Sequence, residues 1–364
     1  MDKVYQNMSL VIWGSNMKKL IKFLSFSLIC VMTLVCLKQF VFVKRKIPTE
    51  YSKFYDETQN TLDLVSIGNS TVAYGINPCI AWKNFGVTSY NISGQPSHPE
   101  IINLAINEVA RTQSPKVIYI DINGLTFQKQ EEAPEFIKRY VQAMPDGEAK
   151  QNVIAQYSFL TDNNSEEDLE IFENHNDYRN PDFWVSMNQL DYSKGYRVSY
   201  KTKKAKDVKT LDKTTILPIQ DDGVYYLNKI LDTCAKYPQI NFIFGKTPRF
   251  LNENTINESY MLRSLIPTIQ EKGYEYVDWS EYLEEMEFDA KTDSFDEHHL
   301  NIYGATKFTK FYISYLNDKY SICGTNHDEE TENNFNDSYK KFKQDKEKHE
   351  KKKDKKDSKK EVDD

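Results

Sequence analysis

A serine behind a short apolar run and an Asp-x-x-His late in the chain are the residues that could do chemistry. Ser70 closes Ile67-Gly68-Asn69-Ser70, while Asp296 and His299 stand in Asp296-Glu297-His298-His299-Leu300-Asn301. A serine hydroxyl is a weak nucleophile until a base removes its proton, and imidazole titrates near neutrality. A carboxylate on the other ring nitrogen fixes the tautomer and stabilises the imidazolium. Such a trio cleaves or transfers esters through an acyl-serine, and the tetrahedral oxyanion then needs hydrogen-bond donors. Candidate donors are the backbone N–H groups of Ser70 and Gly94 and the side-chain amide of Asn123. Of six histidines (His98, His175, His298, His299, His327 and His349), His299 alone has a carboxylate three residues before it in a short loop ahead of a helix. His298 is its nearest rival, and His98 could enter from beyond Gly94.

Each piece also has a plainer reading. Gly68-Asn69-Ser70 suits a strand-to-helix turn with serine as cap, Asp296 and His299 a surface loop, and Asn123 a turn. Asp121 is awkward, because a carboxylate beside a developing oxyanion opposes it unless it points away.

These residues follow elements that the apolar pattern predicts. Short apolar runs at 62–67, 88–93, 116–121, 240–244 and 274–278 read as strands. Helical spacing marks 100–113, 222–237, 256–272 and 301–316. Apolar strands alternating with helices predict a parallel sheet covered on both faces, with ligands beyond the carboxyl ends of its strands. The expected architecture is α/β, a flavodoxin-like three-layer sandwich with a five-stranded parallel sheet ordered 2-1-3-4-5. Residues 127–217 are polar and aromatic without this alternation, too long for an ordinary loop. They read as an insertion forming a cap or substrate surface, inside a domain spanning 47–324.

With these blocks in place, the chain resembles the SGNH (GDSL-like) hydrolase family. Its first block is similar to Ile-Gly-Asn-Ser70, with Asn69 in place of the usual Asp. The second is similar to Asn91-Ile-Ser-Gly94. The third keeps Asn123 in Asp121-Ile-Asn123-Gly but loses the first Gly and the following Asp. The fifth is similar to Asp296-x-x-His299, followed by Leu300-Asn301 and Gly304. The resemblance covers about 60–126 and 216–320, and implies a triad of Ser70, Asp296 and His299. Within the family, the chain looks most like the membrane-anchored branch of lipoteichoic-acid D-alanylation and alginate O-acetylation proteins. The stretch Glu173-Asn-His175-x4-Asn180-Pro, Tyr192-Ser-Lys-Gly-Tyr196 and Lys246-Thr-Pro248 carry that likeness. It implies action outside the cytoplasm on cell-surface glycan. Possible substrate contacts are His175, Arg179 and Tyr196, and a membrane-bound acyltransferase is a possible partner. The alternative is a catalytically inactive relative that binds glycan or such an acyltransferase.

The two ends and the composition complete the organisation. Residues 20–43 are almost wholly apolar, interrupted by Lys22 and Lys38 near the ends, and 24 helical residues reach roughly 36 Å, enough for a bilayer core. They read as an uncleaved anchor behind a short segment, 1–19, and Met17 is a second candidate start. Lysines flank both sides of the run, so charge does not orient it. The last forty residues hold 12 Lys and 13 Asp/Glu with one Val and no Leu or Ile, which predicts a disordered tail at 325–364. A net charge of 47 − 54 = −7 opposes a nucleic-acid footprint. Five scattered cysteines form no zinc spacing, and Gly245-Lys246-Thr247 lacks the first glycine of a P-loop, since position 240 is Ile. No metal and no cofactor is expected.

Overall fold

The computed structural model describes residues 17–35, 50–94, 98–126, 133–157, 160, 189 and 192–363. The chain forms two compact units, one of 1–47 with 163–183 and one of 48–162 with 184–364. In the first, residues 17–35 are helical (α1), with the large apolar side chains from Leu20 to Val35 exposed. Among the described residues no helix is long and apolar enough to cross a membrane. Lys18, Lys19 and Lys22 crowd the first turns of α1, and the rest of the anchor expected at 20–43 lies outside the described residues.

The second unit carries the α/β fold. In chain order it runs α2 (Glu50–Phe54), β1 (Leu64–Gly68), α3 (Ser70–Gly75), α4 (Pro78–Phe85), β2 (Ser89–Ser93), α5 (Pro99–Thr112) and β3 (Val117–Asp121). There follow α6 (Ala133–Ala143), α7 (Glu148–Gln156), α8 (Asp221–Cys234), β4 (Asn241–Lys246), α9 (Ile256–Arg263) and α10 (Ile266–Glu271). β5 (Glu275–Asp278), α11 (Ile302–Tyr320) and α12 (Glu329–Asp363) complete it. The sheet is parallel throughout, in the order β2-β1-β3-β4-β5, as expected. Helix 256–272 divides in two, because Pro267 has no N–H to continue the ladder and its ring crowds the carbonyl of residue 263.

Alternation along the strands builds a core on each face of the sheet. Val65, Ile67, Ile118, Ile120, Phe242 and Phe244 pack with α5, α6 and α8. Leu64, Val117, Tyr119, Ile243 and Val277 face α3, α4 and α11, around Trp279 and Tyr312. Both layers pack on the sheet and hold its strands in register.

The C-terminal segment departs from the expected disorder. Residues 329–363 are one helix, and its first turns dock on α4. Phe335, Tyr339 and Phe342 recur at helical spacing, and Phe335 and Phe342 are buried against the body. Asn334 closes over the buried Lys194–Glu57 ion pair, accepting from Lys194 Nζ at 2.7 Å, and Asn336 accepts from the Trp82 indole at 3.0 Å. Counting charges hid this stripe, because three rings on one face suffice to anchor a helix that is otherwise solvated.

Candidate active site

Ser70 sits at the first turn of α3, two residues beyond β1. Asn69, rather than the serine, caps the helix: its Oδ1 accepts from Thr71 N at 2.9 Å and from Thr71 Oγ1 at 2.7 Å. The serine hydroxyl is thereby left free. Gly68 is needed at this turn, since a Cβ there would lie 2.7 Å from the Cβ of Asp121 and 2.6 Å from Val72.

Across from it, Asp296 and His299 occupy a turn closed upon itself. Asp296 Oδ1 accepts from the backbone N–H of His298 and of His299, both at 2.8 Å. Its carboxylate meets His299 Nδ1 at 2.9 and 3.0 Å, and His299 Nε2 lies 2.8 Å from Ser70 Oγ. The Asp296–His299–Ser70 chain is therefore continuous at hydrogen-bond distance, with residues 229 positions apart joined by the fold. Burial raises the Asp296 carboxyl, but the bonds from His299 and the two N–H groups outweigh it and hold it below the ordinary carboxylate range. A carboxylate that stays ionised keeps the proton on Nδ1 and leaves Nε2 as the base.

Two aromatic rings hold the imidazole. Phe295 stacks on His299 at 5.5 Å and 12°, and Tyr74, four residues after Ser70 on α3, lies against it at 5.0 Å. Neither was singled out from the sequence. The i, i+4 spacing of Tyr74 from Ser70 and the position of Phe295 just before Asp296 were the available signals.

Gly94 follows β2 and Asn123 follows β3, the strands on either side of β1. Asn123 is buried, and its side-chain Oδ1 has no hydrogen-bond partner among the described residues. Asp121 is engaged by donors other than the serine hydroxyl. Its Oδ1 accepts from Asn123 N at 2.9 Å and its Oδ2 from Thr247 N at 2.7 Å, with Thr71 Oγ1 at 3.3 Å. It is a clamp that ties the ends of β1, β3 and β4 together.

The other candidates separate. His98 is fully buried and caps α5 through Nδ1, accepting from Glu100 N at 3.2 Å. Tyr196 is 1% exposed in a cluster with Cys79, Tyr192 and Ile302, so it is a packing residue and not a substrate contact. Its motif is a structural plug: Lys194 and Gly195 adopt positive φ, and Lys194 O accepts from Asn91 N on β2 at 3.0 Å. His175 and Arg179 lie outside the described residues. Among the described residues no group of His, Cys, Asp and Glu is arranged to hold a metal ion.

A cavity of about 340 Å³ opens beside Asp296, walled by Lys203, Lys204, Lys206 and Lys209 on one side and Asn252 and Glu253 on the other. The lysine wall belongs to the insertion. It is pinned by Lys203 N to Ser294 O at 2.8 Å, Ala205 N to Ala290 O at 2.7 Å and Lys209 N to Leu251 O at 2.8 Å.

No protein-family model and no curated protein matches this sequence. Among solved structures, the chain is similar to a family two carbohydrate esterase from Clostridium thermocellum in complex with cellohexaose. The likeness has 10% identity and a TM-score of 0.35, over 72% of this chain and 66% of that one, just under two thirds of its length.

Proposed function

We propose that this protein is a serine esterase or O-acyltransferase of the SGNH type, working through an acyl-Ser70 intermediate. The observation that carries this reading is the 2.8 Å contact between His299 Nε2 and Ser70 Oγ, with Asp296 on the far ring nitrogen. His299 takes the hydroxyl proton as Ser70 Oγ attacks the acyl carbon, then returns it to the leaving alkoxide. The oxyanion falls to the Ser70 and Gly94 N–H groups and to the side-chain N–H of Asn123, a buried residue at the end of β3. A second alcohol or a water, deprotonated by His299, releases the acyl group.

The substrate class is an acyl ester, with acetyl preferred, on a cell-surface glycan. Support comes from the family resemblance of the blocks and from the insertion, which supplies the polar wall of the cavity beside Asp296. The same resemblance supports a domain outside the cytoplasm, held by the apolar run at 20–43. Placing an acceptor in that cavity raises its effective molarity against roughly 55 M water. Purified protein should react at Ser70 with a fluorophosphonate probe and hydrolyse an activated acetyl ester. An acceptor oligosaccharide should divert part of the acyl group to itself. Absence of probe labelling on folded protein would instead favour the binding-only relative.

A further inference from the structure

The turn that carries Asp296 and His299 is shaped largely from within. Among the described residues Asp296 bonds only to its own turn, and the bridge between Ser294 and Leu300 pairs the two arms of that same loop. Among the described residues, three hydrogen bonds or ion pairs from 296–299 reach other parts of the fold, beside the ring contact of Tyr74 with His299. One is the His299–Ser70 bond itself. Another is Lys203 with Glu297 at 4.0 Å, both more than half exposed, and such pairs contribute little. The third is different in kind: Arg249 Nη1 lies 3.2 Å from His298 Nδ1. Arg249 sits three residues beyond β4, is 4% exposed, and is gripped by Glu258 on α9.

A guanidinium can only donate. The His298 Nδ1 that receives it must carry a lone pair, so the proton of a neutral His298 lies on Nε2. We propose that Arg249 is a positioning residue, whose bond to His298 fixes that imidazole as the neutral Nε2–H tautomer and moors the Asp296–His299 turn to the end of β4. The proposal rests on the reading of His299 and Ser70 as the reacting pair. A second charge is also kept out, since the His298 and His299 rings lie 6.1 Å apart. An imidazolium at that distance would oppose formation of the His299 imidazolium in the transition state. The charged groups facing His298 are Arg249, Asp296, His299 and Glu297, with Glu258 behind Arg249 and Lys203 beyond Glu297. Burial, then Arg249, hold its imidazole below the ordinary value against Asp296 and Glu297.

The test leaves the buried Arg249–Glu258 pair in place and changes the exposed partner. Two-bond ¹H–¹⁵N spectra of the wild-type protein should show His298 as the Nε2–H tautomer at neutral pH, with its titration below the ordinary imidazole range. His298→Phe, which offers Arg249 no acceptor, should lower kcat about tenfold or more with KM changed less than about threefold, because small misplacements of a catalytic base are costly. His298→Asn, whose Oδ1 takes the place of Nδ1 as acceptor, should recover most of that loss. An Nδ1–H tautomer, a His298 titration at the ordinary imidazole value, or equal rates for the Phe and Asn variants would each overturn the proposal. Retained activity in Ser70→Ala would sink the esterase reading instead, while the spectra would still report on the Arg249–His298 bond.

Discussion

The proposed nucleophile, base and carboxylate come from two places far apart in the chain, and Ser70 is freed for that role by a neighbour of a particular type. Asn69 takes the capping duty that serine would otherwise perform, so Ser70 Oγ is left to His299. Asp121 spends both oxygens on backbone N–H groups and Thr71, so it does not compete as a base. Ser70→Ala and His299→Ala should each lower ester turnover by about 10³ or more with the fold intact, as judged by circular dichroism alongside rate measurements. A variant keeping a tenth of wild-type turnover would remove its residue from the mechanism. Asn123→Ala should reduce turnover by about 10²–10³ yet still permit probe labelling of Ser70. An unchanged rate would leave the oxyanion to the backbone donors alone.

The strand ends also contain a charge that the chemistry does not use. Lys246 closes β4, is 1% exposed, and donates to Ser280 Oγ at 3.3 Å with Asp278 Oδ1 at 3.9 Å. Burial brings its ammonium down to about 8, against the pull of Asp278. An unfolded lysine titrates near 10.4, so between about pH 8 and 10 the unfolded chain binds more protons at this site than the folded one. Its contribution to stability therefore rises with pH across that window, by roughly 2–3 kcal/mol. Denaturant unfolding of wild type and Lys246→Met at pH 7, 8, 9 and 10 measures it as a difference between the two proteins. A constant difference would mean that Lys246 keeps an ordinary affinity for its proton. Elsewhere in the fold, Pro267 shows how one residue type sets an element boundary that helical periodicity alone ran straight through.

The C-terminal helix changes how the body is held together. Phe335 and Phe342 are 1% and 3% exposed, and burial of each phenyl contributes on the order of 2–3 kcal/mol. His327, just before the helix, lies 3.1 Å from Asp63, and both are buried. Phe335→Ala should cost about 3–5 kcal/mol of unfolding free energy. Removing 325–364 should lower the melting temperature by more than about 4 °C, because it also uncovers the Lys194–Glu57 pair. Calorimetry that finds both proteins equal to wild type would mean the helix does not dock in solution.

Much of the architecture is local in origin. Each strand is a short apolar run ended by polar or glycine residues, so period and punctuation alone place all five to within about two residues. Their order 2-1-3-4-5 is the one expected of a flavodoxin-like parallel sheet covered by helices, and it is kept although the β3–β4 connection spans residues 122–240. The residues that meet as Asp296–His299–Ser70 could also be picked out, because Asp-x-x-His is a local pattern and a serine after a strand end has few other neighbours to serve. Contacts between distant segments were decided only in three dimensions. The same tyrosine that suits a sugar face, Tyr196, fits a sealed pocket equally well, and only the docking of α12 and α11 around it determines which. The charged tail folds because the surface of α4 offers its three rings a partner, a fact stored some 250 residues away. Arg249 meets His298 for the same reason: spacing along a chain records what one element can do, whereas proximity between elements exists only once the core has closed.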